Sequence, residues 1–134
     1  MIYRLLLALA ALSLMLCAVS CKGAKFYTVG VMNRSQGDIQ EVTILWGKET
    51  MGYGNILEGR NATKTPFFSK PPATITLSWK SGDQQCTMDI NMVDLIPDAF
   101  DGTIYLIIKG PNSVGVGTVK DGDRAGYEKL SSEK

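Results

Sequence analysis

The chain has 134 residues, with 14 basic and 13 acidic side chains, three cysteines and no histidine. A balance this even, with no cluster of Lys and Arg, argues against a nucleic-acid footprint and against a polybasic membrane patch. The lack of histidine removes the commonest general base and the commonest zinc ligand.

In chain order, Arg4 precedes an acid-free apolar run from Leu5 to Val19, which small residues close at Ser20 and Cys21. This is the layout of a secretory signal, and the run is short of the roughly 20 apolar residues that span a bilayer. Ala18-Val19-Ser20-Cys21 resembles the lipobox of bacterial lipoproteins, in which the cysteine after small residues receives a diacylglycerol and becomes the mature N-terminus. The resemblance implies that residues 1–20 are a lipoprotein signal peptide and that 21–25 form a lipidated linker. The acyl chains on Cys21 would then anchor the body to a membrane without spanning it. By the sorting pattern of enterobacterial lipoproteins, Lys22 after the cysteine implies the outer membrane, with the body in the periplasm. Cys17 leaves with the leader and Cys21 takes the lipid, so Cys86 has no partner for a disulfide in the mature chain.

The mature length suits one domain with a single core. Residues 26–119 read as strands. Phe26 to Met32 places Tyr27, Val29 and Val31 on one face, a polar turn follows, and Glu41 to Trp46 places Val42, Ile44 and Trp46 on one face. These two strands read as a hairpin. Gly47 to Asn55 holds three glycines in nine residues and reads as a loop, either a flexible connector or a display site in which Met51 and Tyr53 stand free of the core. Ile56 to Lys64 reads as a short strand interrupted at Gly59. Thr65 to Pro72 is extended or at an edge because of its prolines, with Phe67 and Phe68 pointing to opposite sides.

The pattern is strongest from Ala73 to Met92. Ile75, Leu77 and Trp79 alternate with Thr74, Thr76 and Ser78, and after Lys80-Ser81-Gly82-Asp83 the alternation resumes as Cys86, Met88, Ile90 and Met92. A two-residue II′ turn at Gly82-Asp83 pairs Ser81 with Gln84, Trp79 with Cys86, Leu77 with Met88 and Ile75 with Ile90. Every large apolar side chain then lies on one face, which a second sheet must cover. On that face Cys86 is a small buried hydrophobe. An irregular connection over Val93 to Gly102 leads to Thr103 to Ile108, apolar on both faces as a strand inside a sheet would be. Val114 to Val119 returns with alternating glycines that permit the close approach of another backbone. Residues 120–134 are charged and read as a polar, solvated tail.

The expected fold is all-β, a small antiparallel β-sandwich of about six or seven strands. No Ser or Cys has an evident base beside it. Asp94, Asp98 and Asp101 share a loop, where aspartates commonly cap turns. Asp121-Gly122-Asp123 lacks the remaining ligands of a calcium loop. No catalytic residue, metal or cofactor is expected. What remains is an anchored binding domain with a protein partner, and Met51, Tyr53, Phe67 and Phe68 as candidate contacts, since interfaces favour aromatic and methionine anchors. The lipobox, the short strands, TITLSWKSGDQQC and GTIYLIIK together resemble the arrangement of envelope immunity lipoproteins, which implies a cognate toxin as partner. A structural or assembly lipoprotein of an envelope complex is the alternative.

Overall fold

The computed structural model describes residues 27–67, 71–96 and 100–133. Eight strands form two four-stranded sheets, and one short helix follows them. The strands are β1 (Tyr27–Asn33), β2 (Ile39–Trp46), β3 (Glu49–Ile56), β4 (Asn61–Phe67), β5 (Thr74–Ser81), β6 (Gln84–Asn91), β7 (Gly102–Gly110) and β8 (Ser113–Lys120). One sheet has the order β4-β1-β7-β8 and the other β3-β2-β5-β6. They are called below the β1 sheet and the β2 sheet.

The β5–β6 hairpin has the register that alternation dictates, with Ser81 opposite Gln84, Trp79 opposite Cys86, Leu77 opposite Met88 and Ile75 opposite Ile90. Gly82 turns the chain with a φ of 60°, as the first position of a II′ turn requires. Ile75, Leu77, Trp79, Cys86 and Ile90 are buried, facing Val29, Val31, Ile104, Leu106 and Ile108 of the β1 sheet. The sandwich expectation holds, with eight strands rather than six or seven and with one parallel pair, β1 beside β7.

β1 and β2 do not form a hairpin. β1 pairs with β4 and β7, β2 pairs with β3 and β5, and the polar turn between them carries the chain from one sheet to the other. Alternation marks both as half-buried strands but cannot name their partners. The turn is held by Asn33, which is fully buried. Its Nδ2 donates to the carbonyls of Gly37 (2.9 Å) and Ile56 (3.0 Å), and its Oδ1 accepts from Ser35 N (3.0 Å) and Ser35 Oγ (2.6 Å). All four hydrogen-bonding positions of the amide are used, as a buried polar group needs.

The C-terminal residues are not a solvated tail. α1 (Arg124–Ser132) starts at Asp123, whose Oδ1 accepts from Gly126 N at 2.9 Å as an N-cap. It lies on the outer side of the β1 sheet, where Tyr127 and Leu130 pack on Met32, Tyr105, Ile107 and Val119. Asn61 Nδ2 donates to Tyr127 Oη at 2.8 Å, tying the helix to β4. The glycines of β8 do permit a close approach, but of a side chain. A Cβ on Gly117 would fall 2.5 Å from Leu130 Cδ1.

Candidate functional site: the outer face of the β2 sheet

Along β2, β5 and β6 the inward residues are apolar and the outward ones polar, so the outer side of this sheet is built by the same alternation that builds the core. Register aligns its side chains in rows. Thr50, Leu45, Thr76 and Asp89 form one row across the four strands, and Gly52, Thr43, Ser78 and Thr87 form the next. Thr76 Oγ1 donates to Asp89 Oδ1 at 2.7 Å, and the Ser78 and Thr87 hydroxyls lie 3.4 Å apart. Leu45, 45% exposed, is the large apolar side chain standing in this field of hydroxyls.

At one margin β2 bulges between Gln40 and Thr43, and Glu41 adopts a φ of 50°. The bulge sets the Glu41 carboxylate 3.3 Å from Lys80 Nζ, an exposed pair of small energetic value. The face therefore carries few charges, with hydrogen-bond donors and acceptors and one large apolar side chain. Such a surface suits contact with another macromolecular surface.

The residues singled out for partner contact lie elsewhere. Met51 and Tyr53 are in β3, not in a loop, and both are buried in the core at 9% exposure. The glycines that suggested a loop are the reason the strand is possible to misread. Gly52 and Gly54 take the outward positions, so Met51, Tyr53 and Ile56 are the side chains left to fill the interior. Tyr53 Oη donates to the Val29 carbonyl at 3.0 Å, bonding one sheet to the other, and burial pushes its phenol well above the ordinary tyrosine range. Display of this pair to a partner is thus overturned by their place in the core.

Phe67 closes β4 opposite Tyr27, and β4 is an edge strand, as Pro66 favours. Phe68, the lipidation candidate Cys21 and Asp98 lie outside the described residues. Cys86 is a free, buried thiol beneath the sheet. Asp101 accepts a backbone hydrogen bond from Asp121 N (3.2 Å), and Asp123 serves as the helix cap. Among the described residues no three His, Cys, Asp or Glu side chains gather in a way that could hold a metal ion.

Two features escaped sequence reasoning. Asn33-Arg34-Ser35 reads as a polar turn, whereas a strand-ending Asn two residues before Ser is also the pattern of an Asx turn, which Asn33 makes. Asp123, with Tyr127 and Leu130 at helical spacing after it, is a capped helix start hidden in a charged composition.

No protein-family profile matches the chain. No curated protein matches it either. Among solved structures it is similar to the NMR structure of a protein from Eubacterium rectale, at 8% identity and a TM-score of 0.49, covering 75% of this chain and 95% of that one.

Proposed function

We propose that the protein is a lipid-anchored binding protein of the bacterial cell envelope, held through Cys21 with its body in the periplasm, and that it engages a protein partner through the outer face of the β2 sheet. The observation that carries the reading is the asymmetry of the two outer faces. α1 closes the outer side of the β1 sheet, whereas Thr43, Leu45, Thr76, Ser78 and Thr87 remain available on the β2 sheet. The anchor rests on the convergence of an apolar leader and small residues on one cysteine. A rigid sandwich tethered in this way offers a fixed surface at a fixed place, which is a binding role.

The finer form of the reading is an immunity protein that neutralises a toxin, with no catalytic step of its own. It is supported by the arrangement of leader, strands and central hairpin. Its test is a search of the neighbouring genes for a toxin and a titration of the purified chain against any toxin found there, with protection of living cells as the second readout. Full inhibition at equal stoichiometry is the expected result; a toxin unaffected at excess overturns the immunity form. Cys21→Ser should abolish lipid labelling and release the body from the membrane fraction, and labelling that survives the change overturns the anchor.

A further inference from the structure

The fold brings two segments far apart in sequence to one end of the sandwich. Tyr27, the first described residue, pairs with Gly102 in β7 and packs its ring against Trp46, with centroids 6.1 Å apart. Trp46 ends β2 next to Leu45, which is opposite Thr76, and Thr74 is opposite Asn91 at the end of β6. Met92 N then donates to the Ala73 carbonyl at 2.7 Å, and Leu95 N to the Met92 carbonyl at 3.4 Å. The chain therefore enters the domain at the same end at which the segment after β6 leaves it. In that segment Val93 is 53% exposed and Leu95 46%. Leu57 is also exposed, but it follows Ile56, whose carbonyl is held by Asn33 at the far end of β1.

The length of the tether decides what can cover these two side chains. Cys21 and Tyr27 are separated by six peptide steps, which reach at most about 20 Å fully extended. A seven-residue strand such as β1 is itself about 20 Å long. With the acyl chains of Cys21 in the bilayer, the Val93 and Leu95 end is the one at which the tether joins the domain, whereas the Leu57 end comes to the lipid surface only with the tether drawn back at nearly full extension along β1. Among the described residues, exposed charges at the near end include Lys48, Lys120 and Arg124 against Glu49, Asp94, Asp101, Asp121 and Asp123, a set with no basic excess to attract anionic lipid. The chemistry on offer is apolar.

Resting on the anchoring reading, we propose that Val93 and Leu95 contact the interface of the membrane that holds the lipid anchor, orienting the sandwich with its strands directed away from the bilayer. The contact is with the apolar boundary of a neutral phospholipid surface, and its effect is orientation; the acyl chains supply the affinity.

The test uses the full lipidated chain in phosphatidylcholine vesicles. Leu95→Cys, Val93→Cys and Leu57→Cys variants are each labelled with an environment-sensitive fluorophore, the buried Cys86 thiol being out of reach of the label. The expected result is a blue shift at positions 93 and 95, quenching there by lipids brominated near the headgroup, and several-fold weaker quenching by an aqueous quencher than at position 57. Raising the salt concentration should leave the pattern unchanged. Vesicle-bound protein with position 95 as open to the aqueous quencher as position 57 overturns the contact and leaves the anchor standing. A chain that carries no lipid and does not float with the vesicles overturns both.

Discussion

On the outer side of the β1 sheet, Met32, Tyr105 and Ile107 are buried beneath α1, whereas on the outer side of the β2 sheet Leu45 and Thr87 are exposed and Thr43 and Thr76 half-exposed, with no helix or strand among the described residues packed over them. The difference is set strand by strand. β1 and β7 are largely buried on both faces and so need a layer on each side, while β5 and β6 alternate and need only one. The helix buries part of one outer face, and the other is the face to which the proposed contact is assigned.

The sharpest way to break this comparison is to place the same charge on both faces. Ile107→Lys puts an ammonium under α1 without a partner and should cost at least about 3 kcal/mol in urea unfolding. A variant that melts with the wild type would mean that the helix does not seal this face. A milder cut is Leu130→Ala, which empties the space above Gly117 and should cost about 2 kcal/mol, since Leu130 is half-buried.

Both faces of β1 also bear on alkaline stability. Burial raises the Tyr53 phenol, and burial, then the nearby Tyr127, raise that of Tyr105, with a Thr103 hydrogen bond partly offsetting. A group whose pKa is higher folded than unfolded stabilises fully below its unfolded value, about 10 for tyrosine, and loses that contribution as pH climbs above it. Thermal melting should therefore fall above pH 10, and Tyr53→Phe should flatten the fall while costing about 1 kcal/mol at neutral pH through the lost bond to Val29. An unchanged alkaline slope in that variant would place the titration elsewhere. Of similar size, Asp123→Ala removes the α1 cap and should cost about 1 kcal/mol, read in the same unfolding experiment.

The contrast between the faces was only half legible in the sequence. The β5–β6 hairpin is fully specified by local signals, because Gly82 fixes the turn and a slip of one residue would expose Leu77 and Trp79. Ile104 to Ile108 announced by its composition that both its faces would be covered. What covers the outer one was missed, since α1 contributes only Tyr127 and Leu130 to the contact and its other residues are charged or small. β3 was missed for the converse reason. Its period of two is present in Met51-Gly52-Tyr53-Gly54, but the glycines weigh against a strand locally, and only the interior between the sheets explains why the pair turns inward. Strand partners such as β1 beside β7 are tertiary facts that no window of sequence contains. The open face was readable from Thr74, Thr76, Ser78 and Thr87 as a solvent side, and its rows became visible only with the registers of β2 and β3.

The most direct test of the account is Leu45→Lys in the anchored chain. Position 45 already faces solvent on an inner strand of the outer β2-sheet face, near the end of β2, so thermal stability should stay within about 0.5 kcal/mol of wild type. The same substitution places an ammonium within the proposed contact, and a charge desolvated there without a partner should abolish complex formation with the partner protein, measured by titration. Undiminished binding by a fully folded Leu45→Lys chain would contradict the claim that the β2 sheet is the binding face.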